Sequence, residues 1–142
     1  MMDILLVEDN PADARLVREA LAESDVVAEL HWVSSGEEAL SFLRHEPPFT
    51  KSPTPDLVLL DLNLPGLKGQ EVLVEMKSDP ALLSIPVVVL TSSGAKQDVL
   101  DAYGAHVNSY VVKPTDFEQF LALMGTIQTY WLSSVALPTR VG

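Results

Sequence analysis

The chain has 142 residues, 20 acids against 9 bases, no cysteine and 47% apolar residues, enough for one compact domain and not two. A net charge of −11, with no two basic residues closer than three apart, excludes a nucleic-acid surface built by clustering Lys and Arg against phosphates, so the expected partner is a protein or a small ion. Without cysteine there is no disulfide, no zinc-thiolate site and no thiol nucleophile.

Ile4-Leu5-Leu6-Val7 is a short, branched, wholly apolar run, the pattern of a strand covered on both faces. It ends in Glu8-Asp9-Asn10-Pro11, where Asn10 can cap a helix and Pro11 suits its first turn, so a helix is predicted over 11–23. Val26 to Val33 reads as a second strand, and Ser35-Gly36-Glu37-Glu38 opens a helix to about Arg44. The proline-rich stretch 46–56 is a loop. Leu57 to Leu60 is a third strand ending at Asp61, followed by a turn with Pro65, Gly66 and Gly69 and a helix near 69–77. Ile85 to Leu90 is a fourth strand ending at Thr91. A helix near 96–105 leads to Ser109-Tyr110-Val111-Val112, the fifth strand, which stops at Lys113-Pro114. The last helix is predicted from about Asp116 to Leu132.

Five apolar strands alternating with five helices predict a doubly wound parallel sheet, in which ligands bind beyond the carboxyl ends of the strands. The polar residues that stand there are Glu8 and Asp9, Asp61, Thr91 and Lys113. Each taken alone is an ordinary strand-end turn or cap; together they place three carboxylates, a hydroxyl and an ammonium on one rim. Clustered carboxylates repel, and a hard divalent cation such as magnesium relieves the conflict. Glu8, Asp9, Asp61 and a nearby backbone carbonyl, that of Asn63, form a suitable oxygen set. A carboxylate in such a site can attack phosphorus to form an acyl phosphate. Asp61 is the candidate nucleophile because it is central in the sheet, with Lys113 and Thr91 placed to meet the phosphoryl oxygens. A cis Lys113-Pro114 bond would aim the lysine back into the site.

These residues resemble a known family over nearly the whole chain. Glu8-Asp9-Asn10, Leu59-Leu60-Asp61-Leu62-Asn63-Leu64-Pro65-Gly66, Val89-Leu90-Thr91 and Tyr110-Val111-Val112-Lys113-Pro114 are similar to the motifs of the receiver domains of two-component response regulators. The resemblance implies a flavodoxin-like sheet of order 2-1-3-4-5 and a receiver over 2–132 followed by an apolar tail, 133–142, with no output domain. It also implies phosphorylation of Asp61 by a sensor histidine kinase, magnesium held by Glu8 or Asp9, Asp61 and the Asn63 carbonyl, and a switch coupling Thr91 to Tyr110. Asp61 to Leu64, Lys77-Ser78-Asp79-Pro80, Ile85 to Thr91, Val107-Asn108 and Tyr130-Trp131-Leu132 further resemble the small stand-alone regulators of phytochrome-type kinases, which pair through their C-terminal elements. The rival expectation is a phosphatase of the haloacid-dehalogenase type with Asp61 as nucleophile. Such enzymes need a second carboxylate two residues on, where this chain has Asn63, so no independent enzymatic activity is expected. A flavin module on the same sheet fails at Glu8-Asp9, which would repel a phosphate.

Gln119 to Thr139 carries no charge over a membrane-span length. Polar residues interrupt it, however, and its apolar positions cover an arc of about 200°, an amphipathic pattern that argues against a membrane partner. One sheet needs only part of that arc. The surplus, represented by Phe120, Ile127, Tyr130, Trp131 and Leu137, predicts an exposed patch covered by a second copy, a homodimer. The alternative is that the tail folds back over its own sheet. Met1-Met2-Asp3 lacks a basic or long apolar leader, so a cytoplasmic location is expected. Lys113→Ala is expected to leave the fold intact.

Overall fold

The computed structural model describes residues 1–141. Strands β1 (Met2–Val7), β2 (Ala28–Val33), β3 (Leu57–Leu60), β4 (Val87–Thr91) and β5 (Ser109–Val112) form one parallel sheet in the order β2-β1-β3-β4-β5. Helices α1 (Pro11–Ala22), α2 (Gly36–Leu43), α3 (Gly69–Ser78), α4 (Lys96–Gly104) and α5 (Phe117–Gln128) connect and follow the strands. The fold is the flavodoxin-like arrangement the resemblance implied.

The continuous apolar runs divide by the two-residue period of a strand. Leu5, Val7, Val58, Leu60, Val87 and Val89 face one way, against Phe42 and Leu43 of α2, Val72 and Met76 of α3 and Ala102 of α4. Ile4, Leu6, Leu57, Leu59, Val88 and Leu90 face the other, against Val17 and Leu21 of α1 and Phe120, Met124 and Ile127 of α5. The register Val7↔Leu60 brings the ends of β1 and β3 level, and Leu60↔Val89 lets β4 run two residues further, to Thr91. This alignment is what gathers the polar residues that follow each strand. Gly69, at the start of α3, lets the helix approach the site closely: a Cβ there would stand 2.3 Å from the Asp61 carbonyl and 2.6 Å from the Leu62 Cα.

The outer strands depart from the uniform burial that their apolar sequences predict. β2 begins at Ala28 and not Val26, because Ser24 Oγ takes the Val26 N–H and turns the chain at that point. β5 is an edge strand, half-buried through Val111 and exposed at Val112. Among the described residues the cis peptide bond is Pro47-Pro48, so the cis option open to Lys113-Pro114 is not taken. Lys113 reaches the site without it, since its backbone N–H bonds the Thr91 carbonyl at 2.7 Å and carries the β4–β5 pairing one residue further.

The tail also differs from expectation. The last α-helix stops at Gln128, and a π-helical turn, Thr129–Ser134, and a short 3₁₀ turn, Pro138–Arg140, follow. Phe117–Arg140 is apolar and long enough to cross a membrane by length and composition, but its apolar side covers the chain's own sheet. Phe120, Ile127 and Leu137, expected at a partner interface, are buried in this chain: α5 lays the first two on the chain's own sheet, and the tail folds back with the third. Trp131 is partly buried against the same core, and only Tyr130, 55% exposed, stands well clear of it.

An ion pair between buried Asp56 and exposed Arg140 holds the fold-back. Asp56, 1% exposed, accepts the Asp3 N–H at 2.7 Å and the Arg140 Nε and Nη2 at 2.9 Å, and Thr139 donates to it as well. Burial pushes the Asp56 carboxyl up, and the Arg140, Thr139 and Asp3 bonds outweigh it, so its pKa lies below the ordinary value. A depressed pKa adds stability that is fully present above the unfolded value of about 4 and is lost as pH falls through the folded value. Asp56→Asn should therefore lower the urea midpoint at pH 7, and the gap from wild type should close progressively as pH falls below about 4.

Candidate functional site

Glu8 follows β1 directly and is 2% exposed. Its Oε2 accepts the Asn10 N–H at 3.2 Å, and its Oε1 lies 2.5 Å from the Lys113 ammonium. Burial dominates and lifts the Glu8 pKa to about 7, against the opposing pull of Lys113. Asp61 follows β3 and is 6% exposed. Its Oδ1 accepts the Asn63 N–H and the Thr91 hydroxyl, each at 3.0 Å, while its Oδ2 faces Lys113 Nζ at 2.9 Å. Burial pushes this carboxyl up too, but the Asn63 N–H, Lys113 and Thr91 together hold it below the ordinary range. Asp61 is therefore anionic and oriented on both oxygens.

Lys113 also meets Asp13 Oδ2 at 2.9 Å, so its three protons have three carboxylate acceptors. Burial opposes its charge and the three carboxylates overcome that, raising its pKa above the ordinary lysine value. Asp9 is exposed at the mouth of the site. One carboxylate oxygen each from Glu8, Asp9 and Asp61 lie within 4.8 Å of one another. This all-oxygen set fits a hard divalent cation, and exposed Asp9 leaves the site open on one side. The Asn63 side chain is exposed, with its N–H spent on Asp61.

Thr91 is fully buried, its hydroxyl aimed at Asp61. Tyr110 packs its ring against the core, and its hydroxyl donates to the Ser93 carbonyl at 2.7 Å. The segment 91–93 thus joins the two residues predicted to switch together. Ser93 in turn donates to Asp98 of α4 at 2.5 Å, which extends the connection onto that helix.

Sequence reasoning missed two residues here. Asp13 stands in the first turn of α1, capped by Asn10 at the rim, and that placement was the available signal. Trp32 donates its indole N–H to the Glu8 carbonyl at 2.6 Å, bracing the end of β1 from the neighbouring edge strand; the β1–β2 register that brings it there has no marker in the sequence.

The sequence profile of the response regulator receiver domain matches residues 4–124. The chain belongs to this family. The receiver is 45% identical over 135 residues to the response regulator Rcp1 of Synechocystis sp., covering 95% of this chain and 92% of that protein. It superposes on the phosphorylated cyanobacterial phytochrome response regulator RcpA with a TM-score of 0.94 at 47% identity, over 96% of this chain and 98% of the other. The Mn²⁺-bound form of Rcp1 gives a TM-score of 0.94 at 44% identity, over 97% and 99% of the two chains. A receiver is a phosphoacceptor signalling switch, and the phosphatase reading is not favoured.

Proposed function

We propose that this receiver accepts a phosphoryl group on Asp61 from the phosphohistidine of a phytochrome-type sensor histidine kinase, and that it acts in the cytoplasm through protein contacts, with no substrate of its own. The observation that carries the reading is the Asp61 carboxylate, anionic and held on both oxygens by Asn63, Thr91 and Lys113. One of its oxygens bonds to phosphorus as the phosphorus–nitrogen bond breaks, and the electron pair leaves on the imidazole. Lys113 then has a new anionic oxygen to meet, and the Thr91 hydroxyl has a phosphoryl acceptor in place of the carboxylate. Whichever arrangement of Thr91, Ser93 and Tyr110 binds that group better gains population.

Glu8, Asp9, Asp61 and the Asn63 carbonyl are the residues that would hold Mg²⁺. When bound, such a cation neutralises the clustered carboxylates and the charge of the incoming phosphoryl group. The test is incubation with acetyl phosphate followed by intact-mass measurement. Mg²⁺ should permit the addition of one phosphoryl group and EDTA should prevent it; labelling undiminished in EDTA would contradict the assigned cation site.

The reading includes a homodimer joined at the exposed turn after α5. Support comes from Tyr130 and Trp131, which meet edge to face at 5.3 Å and 88° with the tyrosine open to solvent, an aromatic pairing suited to an interface. Tyr130→Ala removes an exposed ring whose stated packing is on Trp131 and should halve the solution mass of the dimer in light scattering. An unchanged mass would exclude this turn as the interface.

A further inference from the structure

A cleft of about 410 Å³ lies between the C-terminal end of α1 and the end of α5, lined in part by Glu23, Asp25, Gly125, Gln128 and Ser133. Three features of it have no use within the chain. Gln128 is only 5% exposed, and among the described residues its buried amide nitrogen has no hydrogen-bond partner, a desolvation cost left uncompensated. Gly125 sits inside a helix, where glycine is unfavourable, yet a Cβ there would meet nothing within 4 Å, so the chain's own packing does not require it. The helix also shifts from α to π geometry directly after Gln128, a distortion often found at functional positions.

The charge of the cleft specifies its occupant. Glu23 and Asp25 stand at the negative end of α1, where cations are favoured, and none of α1, α5 or the π turn has a basic residue in its last turn. Among the described residues no Lys or Arg lines the cleft.

We propose that this cleft seats an arginine or lysine side chain of a partner polypeptide, with the Gln128 side chain turning its buried amide into the cleft to donate to that segment's backbone carbonyl. The cation lies between Glu23 and Asp25, and Gly125 admits the incoming backbone. The inference does not depend on the phosphoacceptor reading, since the cleft shares no residue with the Asp61 site.

The full chain, labelled with ¹⁵N, is titrated with N-acetyl-arginine N-methylamide while the Gln128 side-chain amide is followed by NMR. The expected result is a progressive shift with a dissociation constant of about 1–10 mM, the range of a single anchored residue. N-acetyl-glutamate N-methylamide, with the same carbonyls and the opposite charge, should give no shift. Agmatine, a guanidinium without a carbonyl, should bind several-fold more weakly. Gly125→Leu, which fills the cleft, and Asp25→Asn should each weaken the arginine response several-fold and leave acetyl phosphate labelling of Asp61 unchanged. Gly125→Ala should melt no lower than wild type, showing that the helix tolerates a side chain at this position. No shift with the arginine compound, an equal shift with the glutamate compound, or a response that survives Gly125→Leu would each overturn the proposal. Agmatine binding as tightly as the arginine compound would overturn it too, marking a site for free amines.

Discussion

Asp61→Asn should reduce labelling by acetyl phosphate and Mg²⁺ to background while the protein stays folded by circular dichroism. The amide keeps the shape of the carboxylate and an oxygen that can accept from both the Asn63 N–H and the Thr91 hydroxyl, giving up the bond from Lys113, which retains Glu8 and Asp13, so packing around β3 changes little. What it loses is the anionic oxygen proposed to attack phosphorus, and no neighbour is placed to take over. Glu8 is nearly inaccessible and its pKa near 7 leaves it less anionic than Asp61. Asp13 is occupied with Lys113. Asp9 is exposed, but no hydroxyl or ammonium donor of the site is placed to meet a phosphoryl group on it. Labelling that persists on Asp9, located by peptide mass after borohydride reduction, would remove Asp61 from its role.

The placement of Asp61 was legible in the sequence for a simple reason. In a parallel sheet with both faces covered, a buried strand is an apolar run, and the first polar residue after it is at the ligand-binding rim. Leu57 to Leu60 followed by Asp61, and Val87 to Leu90 followed by Thr91, are such junctions, and the structure brings the two side chains to 3.0 Å. Residues that reach the site sideways were not legible. Asp13 depends on how far α1 lies along β1 and β5, and Trp32 on the register of an edge strand.

The tail shows a different limit. The apolar arc of the last helix tells how much surface is to be covered, and not by what. The deciding contact is Asp56 with Arg140, two residues 84 apart, and Asp56 is held by its bond to the Asp3 N–H at the far end of the sheet. A lone Arg140 in an otherwise uncharged tail was visible in the sequence, as was an acid in the loop before β3. Only the closed sheet shows that they meet, and with them Leu137 turns inward and much of the predicted interface becomes core.

Lys113→Ala should lower the stability measured in EDTA by about 3 kcal/mol, the low end of the cost of stranding a buried charged partner. The structure thus revises the expectation that this substitution leaves the fold untouched. The ammonium joins Glu8 after β1, Asp13 on α1 and Asp61 after β3 to the end of edge strand β5. Removing it leaves two buried carboxylates and a third beside them with no cation, and releases the end of β5 from the rest of the rim. Lys113→Met, which retains the aliphatic stem, should lose nearly as much, because the loss is of charge and not of packing. Adding Mg²⁺ should recover most of the urea midpoint in both variants while shifting wild type less, since the same oxygens then have a cation again. Equal midpoints for wild type and Lys113→Met in EDTA would show that the carboxylates are tolerated without the lysine. A loss that Mg²⁺ does not reverse would show instead that Lys113 supports β5 through something other than its charge.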